Sequence, residues 1–318
     1  MSKYLISGIS GQDGRIAAEL LSKQGHTVAG LTHNPEACEE KIEGCTRIWF
    51  WNWFDETSIN QILEDFRPDC FIHLAASHIS SIKKGLDCET QKDMFAVNLS
   101  GLAIILRCII KIVPNAVFIN ASSSQIYSAT SPGEVVNELS NKIPNTFYGY
   151  TKLSGMNLVD YYRREHGLKG GSSILFNHES HYRGLDFVTR VISKTVAEIK
   201  LGKSDNLHLR NIGSKVDMSS AYDVVQGMIL MSEKNLNSDY ILSSFKAISI
   251  LDLVSFSFEF VNLDWNKFVT YDQQENNNFV IGDNTRSKTE LNWLPEIEIK
   301  TVMASMIDHD LSLLKLKP

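Results

Sequence analysis

Short apolar runs alternate with amphipathic stretches through the first half of the chain. "KYLISGI" is such a run, and "DGRIAAELLSKQGH" repeats apolar residues at helical spacing until Gly25, which predicts a strand, a turn and a helix. "TVAGLTH" reads as the second strand, "TRIWFW" as the third, "DETSINQILEDF" as an amphipathic helix and "DCFIHLAA" as a buried strand. The alternation continues through "VNLSGLAIILRCIIKI" (helix), "AVFINASS" (strand), a helix holding "YGYTKLSGMNLVDYYRREHG", and the strand "GSSILFN". That order predicts an α/β, Rossmann-like doubly wound parallel sheet, with helices on both faces and the ligand at the carboxyl ends of the strands.

Beyond Asn177 the regularity weakens to a loop, the helix "DFVTRVISKTVAEIKLG", short strands and a late helix near "ILDLVSFSFEFV". Residues 1–176 are therefore read as a Rossmann domain, with segments near 214–245 returning to it. Residues 177–318 are read mainly as a smaller substrate-binding lobe closing over the sheet.

Composition narrows the classes. The 318 residues are 43% hydrophobic and 21% charged, which suits a soluble globular protein of one or two domains. A net charge of -6 with no long Lys/Arg run points away from nucleic acid and anionic membranes, and towards a small-molecule partner. Five cysteines, odd in number and without a Cys-x-x-Cys pair, indicate neither zinc nor a disulfide framework, and fit a reducing cytoplasm. The start "MSKYLISGISGQDG" shows no signal peptide, and no apolar stretch reaches the roughly 20 residues of a bilayer span, so a cytoplasmic protein is expected. His73, His78 and His181 have no metal-ligand spacing, and no metal is expected. The cluster "WFWNWF" reads as core and as a wall beside the cofactor's adenine.

Two motifs carry chemistry. Gly8, Gly11 and Gly14 form G-x-x-G-x-x-G between the first strand and helix, where backbone lacking Cβ atoms can approach a pyrophosphate at a helix N-terminus. The segment "GLTHNPE" after the second strand offers neither an acid for a ribose hydroxyl nor an arginine for a 2′-phosphate, so NAD and NADP both stay open. Tyr148 and Lys152 make Y-x-x-x-K, one helical turn apart. The ammonium would favour the phenolate, and the pair could exchange a proton with a sugar hydroxyl or keto group as hydride moves. Ser123, at the serine-rich strand end, is the third member.

These residues, with "GISGQDG", "YGYTKLSG", "NHESHYRGLDFVTR" and "IGDNTRSKTELNW", resemble the extended short-chain dehydrogenase/reductases, and within them the GDP-mannose 4,6-dehydratase family, over nearly the whole chain. The resemblance implies oxidation of a nucleotide-linked sugar at C4, removal of the C5 proton by a glutamate as water leaves C6, and return of the hydride. It implies cofactor contacts from Gly8, Gly11, Gln12, Asp13, Gly14, His33, Asn52, Ala75, Ala76, Tyr148, Lys152, Asn177 and His178. The implied substrate contacts are Ser123, Asn177, Glu179, Arg183, Arg190 and Arg210. It also implies a homodimer, or a tetramer, paired through the helices of "VNLSGLAIILRCII" and Tyr148.

The chain departs from that pattern where the chemistry is decided. The family's Ser/Thr-Ser-Glu aligns with Ser123, Ser124 and Gln125, so an amide replaces the base. An amide cannot carry a proton through a cycle, which leaves C4 oxidoreduction as the expected reaction, with Gln125 binding sugar. The alternatives are an authentic 4,6-dehydratase whose base is relocated to His178, Glu179 or a glutamate of the C-terminal lobe, and an inactive cofactor-binding regulator or scaffold. Val216 and Gln273 replace two arginines that clamp the family's diphosphate; Arg183, Arg190, Arg210, Lys215 and Arg286 could supply the missing charge.

Overall fold

The computed structural model describes residues 1–38, 41–78, 87–275 and 277–316. Along the chain run β1 (Lys3–Ser7), α1 (Gln12–Lys23), β2 (Thr27–Thr32), β3 (Cys45–Phe50), α2 (Glu56–Phe66) and β4 (Cys70–His73). Next, α3 (Cys88–Phe95) passes through a π-helical turn (Ala96–Gly101) into α4 (Leu102–Ile112), followed by β5 (Val117–Ala121), β6 (Pro132–Val136), α5 (Phe147–His166) and β7 (Lys169–Leu175). The remainder is β8 (Asn177–Glu179), α6 (Val188–Lys200), β9 (Leu207–Asn211), β10 (Lys215–Ser220), α7 (Ala221–Glu233) and β11 (Tyr240–Leu242). It closes with β12 (Ala247–Ser249), α8 (Ile250–Phe260), β13 (Val269–Gln273), β14 (Phe279–Gly282) and α9 (Ile299–Leu316).

Seven strands form one sheet in the order β11-β7-β5-β4-β1-β2-β3, every neighbouring pair parallel. Successive strand residues point to opposite faces, so Leu5 and Ile6 enter different cores. Ile6 packs with Ile16 and Leu21 of α1 and Val224 and Met228 of α7. Leu5 packs with Ile59 of α2, Leu106 of α4 and Val159 of α5. Both faces of the sheet are thus covered, and the fold is the doubly wound α/β arrangement. A third core, with Ile192, Val196, Leu253, Phe258, Met303 and Ile307, joins α6, α8 and α9.

The helix Cys88–Ile112 spans 25 residues and passes for a membrane span by length and composition alone, but Glu89, Lys92, Asp93, Arg107 and Lys111 interrupt it, so its uncharged runs stay short of a bilayer span. The helix hides its length in sequence because polar residues crowd its first turns. In the fold, Leu102, Ile105, Leu106, Cys108 and Ile109 are buried against the sheet, as the core helix of a globular domain requires.

Arg190 of α6 and Asp310 of α9 fasten the smaller lobe. Two guanidinium nitrogens donate to the two Asp310 oxygens, each at 2.7 Å, Ser193 Oγ adds a third bond at 2.7 Å, and both charged side chains are almost fully buried. Removing one partner strands a buried charge, so Asp310→Ala should lower stability by about 3 kcal/mol, read from urea unfolding.

Candidate active site

The chain turns sharply after β1. Gly8 has φ +74°, and a Cβ on Gly14 would stand 2.5 Å from the Gly8 carbonyl oxygen, so both positions need glycine for the turn to close. Helix α1 then starts after Gly11 with no side chain capping it, which leaves its first-turn N–H groups available to an anion. A dinucleotide's pyrophosphate fits this cradle.

The turn is tied to β8 on its far side. Gln12 Nε2 donates to the His178 carbonyl oxygen (3.2 Å), Gln12 Oε1 accepts from Ser180 Oγ (2.9 Å), and Asp13 Oδ2 meets His178 Nε2 at 3.1 Å. Burial opposes both charges, yet each rescues the other: Asp13 lies below the usual carboxylate range and His178 above the usual imidazole value. A raised imidazole contributes stability fully present below pH ~6.5 and lost as pH rises through its folded value. Unfolding by urea should therefore become easier above pH 6.5, and Asp13→Asn should flatten that dependence.

Tyr148 stands in a cavity of about 350 Å³ at the carboxyl ends of β4, β5 and β7. Helix α5 places it there: Thr146 caps the helix by accepting the Gly149 N–H at 3.0 Å, and a Cβ on Gly149 would collide with the Gln125 carbonyl oxygen. Glycine in a helix's first turn thus lets α5 lie against the loop after β5. Gly149→Ala should push the two apart and lower turnover more than stability, measured as kcat beside the unfolding midpoint.

Lys152, one turn along, is buried. Its Nζ donates to the Ala121 carbonyl oxygen at 2.8 Å and lies 5.6 Å from the Tyr148 ring centroid. Desolvation lowers its pKa to about 8. The Tyr148 phenol is pushed up, by burial first, with Arg183 pulling it back and Asp13 adding to the rise. The expectation that the ammonium makes a phenolate is corrected: the ammonium is spent on a carbonyl, and Tyr148 rests as a neutral phenol.

Ser123 and Gln125 line the same cavity, and Ser123 Oγ accepts the Gln125 N–H at 3.2 Å. Thr146 Oγ1 donates to Gln125 Oε1 at 2.8 Å. Ala76, Asn177, His178, Asp13 and Arg183 line it too, whereas Ala75 is buried behind, its N–H on Ser7 Oγ at 3.3 Å. His33 and Asn52 are exposed beyond β2 and β3; the His33 ring leans on Trp53, and Asn52 Oδ1 accepts the Phe54 N–H. Trp51 is fully buried in the sheet's core, while Phe50 and Phe54 are exposed.

Three of the implied substrate contacts lie off the cavity lining. Arg190 spends its charge on Asp310, Arg210 sits exposed on β9 outside the cavity lining, and Glu179 is buried beneath it, accepting from Thr189 Oγ1 at 2.6 Å with Arg183 Nε 3.5 Å away. Arg286 is occupied by Glu290 and Ser238, and Lys215 stands exposed at the start of β10. His178, held by Asp13 and the Phe176 carbonyl, is no free base.

The place of three residues in this site escaped sequence reasoning. The His78 ring meets Tyr148 edge-on at 4.6 Å and stacks on Phe187 at 5.5 Å; burial, then Arg183 and Lys152, push its pKa down to about 4, so the imidazole is neutral. Asp186 lines the cavity with no hydrogen bond or ion pair among the described residues. Thr146 completes the set. A signal existed only for Thr146, a hydroxyl just ahead of an apolar helix. A larger cavity, about 820 Å³ and lined by Phe245, Phe256 and Lys246, shares no residue with the Tyr148 pocket. Size is not the guide here, since it holds none of the proton-transfer groups.

The model of the family described as GDP-mannose 4,6 dehydratase matches residues 5–306. The chain belongs to that family. Among relatives of the GDP-mannose 4,6 dehydratase family, the Homo sapiens protein of that name is 28% identical over 99% of this chain and 92% of its own. The Drosophila melanogaster protein is 29% identical, covering 99% and 87%. The solved UDP-glucose 4-epimerase of Thermotoga maritima superposes with a TM-score of 0.81 at 20% identity, covering 99% of this chain and 100% of that one, which shows a shared fold.

Proposed function

We propose that this member of the GDP-mannose 4,6 dehydratase family uses NAD or NADP to move hydride at C4 of a nucleotide-diphosphate sugar, without the 4,6-elimination. The observation that carries this is the carboxamide of Gln125, held by Thr146 beside Tyr148 where a base would be needed. The bound cofactor would accept or return the hydride. Tyr148, a neutral phenol, donates a proton to the C4 oxygen in reduction and passes the hydroxyl proton outward in oxidation. Ser123 hydrogen-bonds that oxygen, and Lys152 supplies positive charge below about pH 8. Hydride transfer should therefore fall as pH rises through about 8, read from a pH–rate profile that loses this limb in Lys152→Met.

The test is incubation with GDP-mannose and related nucleotide sugars plus each cofactor, following reduced nicotinamide and product mass. Loss of two hydrogens with stoichiometric reduced cofactor supports the proposal. Loss of one water without net reduction supports the second reading, a 4,6-dehydratase with a relocated base, for which the unpaired Asp186 in the cavity speaks. Cofactor binding without turnover of any sugar would leave a regulator or scaffold. Exposed Phe95 on α3 and Tyr150 and Tyr161 on α5 support a homodimer through these helices.

A further inference from the structure

We propose that Thr146 is a positioning residue that turns the Gln125 amide so that its NH₂, and not its oxygen, faces the sugar. Gln125 then recognises an accepting oxygen on a carbon beside C4, and the substrate class is a nucleotide hexose with a free hydroxyl there. This rests on the reading of the Tyr148 cavity as a C4 hydride-transfer site.

Gln125 is held at both ends. Its backbone N–H donates to Ser123 Oγ at 3.2 Å, where the short turn Ser124–Ile126 begins, and its Oε1 lies 2.8 Å from Thr146 Oγ1. The Thr146 oxygen already accepts the Gly149 N–H at 3.0 Å as the cap of α5, which leaves its single proton to be given away. The Gln125 oxygen is the acceptor for that proton. A reversed amide would bring NH₂ to a hydroxyl whose own proton then has no acceptor among the described residues. The cap of α5 thereby fixes the polarity of a side chain on the loop after β5.

The end left for a ligand is the NH₂. Gln125 is half-buried on the cavity lining, and its Nε2 has no hydrogen-bond partner among the described residues and is not one of the polar atoms sealed from the surface, as Ser122 Oγ is. An amide NH₂ donates and does not accept, so it calls for an oxygen lone pair. Tyr148 and Ser123 take the C4 oxygen, and Gln125 follows Ser123 by two residues in the same turn, on the same cavity. Its reach is to a substituent on a carbon beside C4, which is the C3 hydroxyl on one side or the C6 hydroxymethyl on the other. No proton is transferred in this contact.

The experiment follows cofactor reduction by GDP-mannose and UDP-glucose, and by their deoxy and deoxyfluoro forms at C3 and at C6, in wild type, Thr146→Ser and Thr146→Asp. Serine keeps both bonds of Thr146. Aspartate is a preferred helix cap and keeps the Gly149 bond, but it has no proton to give, so Gln125 turns its NH₂ to the new carboxylate and shows the sugar its oxygen. Carbon-bound fluorine can accept weakly and cannot donate. At one of the two carbons, wild type should use the deoxy form about tenfold less well than the hydroxyl form, since the NH₂ loses its acceptor. The ratio of kcat/KM for the fluoro over the deoxy form at that carbon should be kept in Thr146→Ser and fall about fivefold or more in Thr146→Asp. Because the ratio is taken within one variant, changes in stability or overall rate cancel from it. A ratio that survives Thr146→Asp, as a purely structural cap predicts, or a wild type indifferent to both deoxy forms, overturns the positioning role and leaves the C4 reading standing. Cofactor reduction by neither hexose overturns both.

Discussion

Gln125→Glu is expected to create elimination activity towards a neutral nucleotide hexose, with a product one water lighter and no net change in cofactor. The glutamine side chain already occupies the cavity with Tyr148, and its oxygen takes the Thr146 proton at 2.8 Å. A glutamate of the same length keeps that bond through one oxygen and brings a second, basic oxygen to the position of the present NH₂. Positioned acid–base catalysis is worth about 10²- to 10⁴-fold, and the elimination rate should rise within that range. The readout is product mass together with incorporation of deuterium at C5 in heavy water. A variant that folds and binds cofactor yet shows neither would mean that Gln125 does not face the C5–H bond.

Tyr148→Phe should lower hydride transfer by about 10²- to 10⁴-fold while cofactor affinity stays within a small factor. The phenol is held beside both the neutral His78 ring and the Lys152 ammonium. Phenylalanine keeps the ring contact with His78, so folding is spared and the loss isolates the proton. Single-turnover cofactor reduction measures the step, and fluorescence titration with each cofactor measures binding. Retained turnover would remove Tyr148 from the mechanism.

Most of the sheet was legible because parallel strands buried on both faces read as unbroken apolar runs, as in "KYLIS" and "CFIH". Helices α7 and α9 were not. Helix α7 is enclosed between the sheet and α1, with Val224, Val225, Met228 and Ile229 all buried, so it lacks the polar stripe that marks a surface helix. For α9, acidic and apolar residues are mixed because Asp310 points inward to Arg190. In the site, Tyr148 and Lys152 were legible because four residues on a helix fix their relation regardless of tertiary structure. Arg190 misled because a charged residue in a motif looks functional until its buried partner, on another helix, is known. His78 and Asp186 come from separate loops, and only the fold brings them to Tyr148.

The Arg190–Asp310 pair has a consequence for how the protein is made. Its partners are 120 residues apart, and Asp310 arrives on the final helix. During translation α6 emerges long before α9, carrying a guanidinium and apolar residues such as Ile192 and Val196 with no surface to meet. The sheet, complete once β11 has appeared, can form while the chain is still being extended. The smaller lobe must wait for α9, so a ribosome-bound chain halted before residue 310 should resist protease through the sheet and be cut near α6.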